Sequence, residues 1–178
     1  GVRIACVGDS ITHGTFVWRR RTHSDPAQLQ AMLGDGFSVR NFGVNAHAAQ
    51  RTADFTYWNH AAFAESTAFA PNIVLIMLGT NDCRGSNWRG VEPFRRDYRE
   101  LVEHYRALES GPAVWLLTPP TLFRLGRSRK VRYRMDDNAL REICGAVESV
   151  AHDLRCGLVD INTLTAANPD AFKLNGVH

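Results

Sequence analysis

Long apolar runs are missing from this chain: none approaches the roughly 20 residues that a membrane-crossing helix requires, so no bilayer span is expected. Paired cysteines are missing too. Cys6, Cys83, Cys144 and Cys156 are widely spread, without the close spacing of zinc sites or redox motifs. They read as free, small, buried hydrophobes, and no metal centre is expected. Neither sign of charge dominates: 21 Lys and Arg stand against 18 Asp and Glu. A general nucleic-acid footprint would therefore need a concentrated basic face. No tract is repetitive or polar enough to prevent packing. No Gly-x-Ser-x-Gly elbow occurs, which argues against the ordinary α/β-hydrolase fold.

What is present suffices for one domain over residues 1–178, since 178 residues at 44% hydrophobic can bury one substantial core. The chain opens on Gly1 straight into an apolar run and stops at His178 in a turn-like segment. An upstream segment and a C-terminal element are expected to lie beyond these ends. Short apolar runs alternate with segments of helical period, the pattern of a parallel sheet covered by helices on both faces. Five strands are predicted: Val2 to Val7, Ser38 to Val44, Ile73 to Leu78, Ala113 to Leu117, and Gly157 to Ile161. A first helix is predicted over Pro26 to Leu33, with Asp25 as N-cap and Gly34 as stop. A second is predicted over Ala61 to Phe69. Two longer helices carry core stripes: Phe94, Tyr98, Leu101, Tyr105 and Leu108, then Leu140, Ile143, Val147, Val150 and Leu154.

In a doubly wound sheet the ligand crevice lies beyond the carboxyl ends of the strands, so the residues that follow each strand carry the chemistry. Gly8-Asp9-Ser10-Ile11-Thr12 follows the first. Alone, it fits an ordinary turn or N-cap better than a nucleophilic serine. Gly79-Thr80-Asn81-Asp82 follows the third strand, where an Asn side chain can aim an N–H at a developing oxyanion. Asn175-Gly176-Val177-His178 stands at the far end, and histidine is the side chain suited to proton transfer near neutrality. The other six histidines sit in no motif and read as surface or packing residues.

An early Ser, a central Gly-x-Asn-Asp and a late His on a short α/β chain resemble the SGNH or GDSL hydrolases. The runs Arg3 to Thr12, Pro26 to Leu29, Val39 to Val44 and Ile76 to Asp82 look like the carbohydrate O-acetylesterase branch, sialate O-acetylesterase-like proteins included. The resemblance implies a three-layer α/β/α, flavodoxin-like fold with a five-stranded parallel sheet. It implies Ser10 as nucleophile, His178 as base and the position of Asn175 as the group that orients the histidine. The oxyanion donors would be the Ser10 N–H, the Ala46 N–H and the Asn81 amide, with Asp9, Gly79 and Asp82 in support. An acyl-enzyme would form on a carbohydrate-like ester substrate, with no metal and no cofactor.

Two positions depart from the family pattern. Ala46 stands where a Gly is usual, and a Cβ is strained there if the turn needs a positive φ. Asn175 stands where an Asp is usual; its carbonyl can orient the imidazole but cannot balance the imidazolium charge. Slow turnover is expected, and a catalytically impaired module serving binding or assembly is the competing expectation. Arg124 to Arg134 carries many cations and no acid, and Arg19-Arg20-Arg21 follows the first strand similarly. These favour an anionic substrate or partner, unless they are merely solvated.

Overall fold

A computed structural model of the chain describes residues 1–123, 132–168 and 176–178. Five parallel strands, β1 (Val2–Gly8), β2 (Phe37–Gly43), β3 (Ile73–Met77), β4 (Ala113–Leu117) and β5 (Gly157–Val159), form one sheet in the order β2-β1-β3-β4-β5. The direction of winding reverses between β1 and β3. Their carboxyl ends therefore flank a crevice where no crossover helix closes the space. This is the predicted three-layer α/β/α architecture.

The helices are α1 (Ser10–His13), α2 (Arg20–His23), α3 (Asp25–Leu33), α4 (Ala61–Ala68), α5 (Val91–Arg106), α6 (Asp137–Asp153) and α7 (Ile161–Ala166). Alternation along the strands sends Ala5, Val7, Val74, Ile76, Val114 and Leu116 to one face, all buried. The predicted stripes of α5 and α6 join them in one core: Phe94, Tyr98, Leu101, Tyr105, Ile143 and Val147 are fully buried. Leu108 lies just past the end of α5 and packs against that core from its margin. On the opposite face, α3 lies against β2. All four cysteines are free, and all but the half-buried Cys156 are buried.

The N-cap of α3 is Ser24 and not Asp25, which lies inside the first turn, with Pro26 after it. The fifth strand stops at Val159, short of Ile161, because Asp160 turns the chain: its carboxylate accepts the Thr163 N–H at 3.1 Å and starts α7.

Buried carboxylates tie the loops to this frame. Asp82, fully buried after β3, accepts the N–H groups of Ala49 and Gln50 at 2.9 and 2.8 Å. Asp97, on α5, accepts the Arg51 N–H at 2.8 Å. Asp9 caps α1 by accepting the Ile11 N–H at 2.9 Å. Burial pushes the Asp9 carboxyl up to about 7, with the charge of Asp82 adding to the rise. Burial likewise pushes Asp82 up to about 6 against the pull of its two backbone donors.

Both groups bind a proton more tightly in the folded chain than in the unfolded one, where an Asp titrates near 3.9. Their contribution to stability is therefore complete below that value and is lost as pH rises through about 6 and 7. Asp9→Asn keeps an acceptor for Ile11 and removes one titration. Urea denaturation at pH 5 and pH 8 should show the parent losing more stability over that span than the variant, by roughly 1 kcal/mol per pH unit up to Asp9's folded value. Identical losses would refute the assignment.

Candidate active site

Gly8 ends β1 because a side chain has no room there: a Cβ would meet the Thr12 hydroxyl at 2.1 Å and the Met77 carbonyl oxygen at 2.9 Å. The chain turns at Asp9 and enters α1 with Ser10 as its first residue. Ser10 is buried apart from a small opening, and its Oγ lies 2.7 Å from Nε2 of His178. That separation is a short hydrogen bond between groups 168 residues apart. With serine as donor, Nε2 accepts and the imidazole carries its proton on Nδ1. Burial lowers the pKa of His178 below the ordinary histidine value, which favours the neutral ring that can take a proton.

Three loops are laced together around this pair. The Val44 N–H donates to the Gly8 carbonyl at 3.0 Å, holding the segment after β2 beside the end of β1. Asn81 is buried, and its Nδ2 donates to the His47 carbonyl at 3.0 Å, which joins the loops after β2 and β3. One amide N–H is used there, so a second remains on the same nitrogen. The Asn87 amide holds the Asn81 carbonyl at 2.9 Å. Gly79 has φ +134°, and a Cβ there would meet the Ile143 side chain at 2.6 Å, so the turn that delivers Asn81 requires glycine.

Ala46 lies one residue before His47 with φ +63°, the left-handed region. Among the described residues neither its N–H nor that of Ser10 has a backbone or side-chain acceptor. The structure thus joins Ser10 to His178 directly, and ties the loops of Ala46 and Asn81 to each other and to β1. Asp9 and Asp82 serve as buried backbone acceptors beneath them. Asn175 lies outside the described residues, as do residues 124–131 of the basic segment.

An apolar cleft of about 590 Å³ opens beside His178, between α3 and the sheet face bearing Cys6, Leu75, Met77 and Leu117. A second hollow, on the β2 side, is bordered by His13, Arg20, Arg21 and His60. The Arg20 guanidinium meets the His13 ring there. Sequence reasoning missed two neighbours of the pair. Phe16 packs edge-on against the imidazole of His178, with ring centroids 5.3 Å apart, and the Thr15 hydroxyl donates to the Asn45 side chain. Nothing in the spacing of these residues marks them. His47, read as a surface or packing residue, does pack edge-on against His60, with centroids 4.7 Å apart, but its carbonyl is also the anchor of Asn81.

A Cβ in the left-handed region costs roughly 1–2 kcal/mol. Ala46→Gly therefore raises the unfolding free energy, by a few tenths to about 1 kcal/mol once the extra freedom of an unfolded glycine is subtracted. Chemical denaturation of the two proteins measures this, and a loss of stability would contradict the strained backbone.

The family model for the GDSL-like lipase/acylhydrolase family matches residues 6–178. An acetylxylan esterase of Xylanibacter ruminicola is 32% identical over 195 aligned positions, which take in 99% of this chain and 39% of that protein. The chain thus spans well under half the length of that relative. Among solved structures, the inhibitor-bound aryl esterase of M. smegmatis superposes with a TM-score of 0.77 at 20% identity, over 100% of this chain and 90% of that one. A carbohydrate acetylesterase of Sinorhizobium meliloti gives 0.70 at 20% identity, over 90% and 84%. The family match over nearly the whole chain, with the fold shared by these structures, makes this protein a member of the GDSL-like lipase/acylhydrolase family.

Proposed function

We propose that this protein is a serine ester hydrolase that removes short acyl groups, acetyl foremost, from a carbohydrate hydroxyl. The 2.7 Å contact between Ser10 Oγ and a half-buried His178 carries the reading. Ser10 attacks the ester carbonyl carbon while Nε2 takes the hydroxyl proton. The oxyanion accepts hydrogen bonds from the Ser10 and Ala46 N–H groups and from the second N–H on the Asn81 amide. The imidazolium then protonates the departing alcohol, which leaves an acyl-enzyme. Water, deprotonated by the same ring, attacks that ester and frees the acid and Ser10. The carbohydrate part of the reading is supported by the names of the two relatives, an acetylxylan esterase and a carbohydrate acetylesterase. Arg20 and Arg21, beside the second hollow, favour a substrate or partner with acidic groups, and the Arg124 to Arg134 segment favours the same by composition.

Release of p-nitrophenol from its acetate ester is the assay. The parent should hydrolyse it, with the rising limb of kcat/KM centred below the ordinary histidine value of about 6.5, because burial holds His178 down. Ser10→Ala should return release to the uncatalysed background; full activity in that variant would end the serine mechanism.

A second reading, a catalytically impaired module kept for binding or assembly, is favoured by Ala46 at φ +63° and by Asn175 in the place of an acid. Asn175→Asp distinguishes the two. If the missing charge limits turnover, kcat rises, by up to about 10⁴-fold on the serine-protease precedent. Equal kcat in variant and parent would show that Asn175 does not limit the reaction. Failure of both to release product favours the binding module.

A further inference from the structure

Two imidazoles and an exposed phenyl ring meet on the segment between β2 and α4. His47 and His60 stand edge-on with centroids 4.7 Å apart, and the Phe55 ring lies 5.8 Å from that of His47. Phe55 is 55% exposed, which alone says little about a single phenylalanine. Its anchoring says more. The Asp54 N–H donates to the Asn87 side-chain carbonyl at 3.0 Å, and the Phe55 carbonyl accepts the Ala48 N–H at 2.9 Å. Asn87 in turn donates to the Asn81 carbonyl at 2.9 Å, and Asn81 donates to the His47 carbonyl at 3.0 Å. This circuit closes on itself, so His47 and Phe55 are held in fixed relation to the side chain that carries the proposed oxyanion donor.

The two imidazoles present opposite hydrogen-bonding groups. Nδ1 of His47 lies 2.7 Å from the Asn45 carbonyl, which can only accept, so Nδ1 carries a proton. Burial lowers the pKa of this ring, which keeps it neutral and leaves Nε2 as an acceptor. His60 is arranged the other way. Its Nδ1 accepts the Ala62 N–H at 3.1 Å as the N-cap of α4, so its proton sits on Nε2, a donor. Among the described residues neither Nε2 has a hydrogen-bond partner, and His60 borders the second hollow. A carboxylate or phosphate offers acceptors alone, and an ammonium offers donors alone. Neighbouring hydroxyls offer both, and a pyranose adds a face of C–H groups that can lie on an aromatic ring.

We propose that Phe55, His47 and His60 form a sugar-binding subsite that holds the pyranose ring bearing the ester, with Phe55 under its C–H face and the two Nε2 atoms on its hydroxyls. This deepens the esterase reading and depends on it for its effect on turnover. A rigid aromatic surface with a few fixed polar groups is the general form of a small-molecule site, and rigidity beforehand reduces the entropy lost on binding.

Acetylated methyl β-xylopyranoside, ethyl acetate and phenyl acetate separate the subsite from plain structure. Phe55→Ala should lower kcat/KM for the xyloside relative to ethyl acetate by roughly 3- to 10-fold, chiefly through KM, the scale of one aromatic contact. Phe55→Tyr keeps the ring and should keep the ratio. His60→Asn retains a cap for α4 but withdraws the Nε2–H, and should cost roughly the same factor. An unchanged ratio in either Phe55→Ala or His60→Asn overturns the proposal. So does a loss on phenyl acetate that spares the xyloside, because that describes a platform for aryl esters.

Unreactive methyl β-xylopyranoside, titrated into the parent, gives a reading independent of turnover and of any variant's folding. The imidazole proton resonances of His47 and His60 should shift and saturate while those of His152, on α6, hold. Resonances of His47 and His60 that stay put overturn the proposal. Saturable shifts in a parent that hydrolyses no ester would sink the esterase reading and leave the subsite standing.

Discussion

The site depends on one buried carboxylate. Asp82 sits at the end of the third strand, out of reach of water, and receives the N–H groups of two successive residues from a loop more than thirty positions earlier. An unpaired N–H in such a place costs roughly 1–3 kcal/mol, so the two donors and the acceptor hold each other in position. Asn81 precedes Asp82, and Ala46 and His47 lie just ahead of the two donors. The same clamp that joins the strands' carboxyl ends therefore brings both proposed oxyanion loops to one rim. The carboxylate has a cost of its own, since burial works against its charge and raises its proton affinity. The loop geometry is maintained against that penalty.

The strained residues extend this logic. Ala46 and Phe16 both hold positive φ, and both lie on loops bordering Ser10 and His178. Glycine supplies this freedom at tight turns such as Gly79, while Arg19, Ala70, Tyr133, Arg134 and Arg155 also hold positive φ. A chain under pressure for stability alone would place glycine instead of Ala46 and Phe16 too. Keeping a Cβ at each instead places part of the chain's backbone strain beside the serine, where displacement of a side chain would have chemical effect.

The sheet was legible in the sequence because its strands are buried on both faces and read as apolar runs ended by turn residues. The stripes of α5 and α6 were legible through their period. What escaped was short or polar. Four-residue helices such as α1 and α2 are too brief to show periodicity, and Asp160 looked like the interior of a strand because apolar residues flank it on both sides. Ser10, Asn81 and His178 could be chosen from motif and order. The edge-on contact of Phe16 could not, since nothing in a sequence says which exposed aromatic will meet a ring so distant along the chain. The strain at Ala46 stood between these cases. The residue type was visible, and the backbone angle that gives it meaning was not.

Ser10 and His178 stand 168 residues apart, and their hydrogen bond closes a loop that takes in four of the five strands. Closing so large a loop has a high entropic cost unless the intervening sheet is already assembled. No hairpin, fragment or half-built layer can bring these two side chains together in advance. On the proposed esterase reading, hydrolytic competence is in this sense the last property the molecule acquires as it folds and the first it forfeits as it loosens, which makes turnover a sensitive gauge of how much of the architecture is intact.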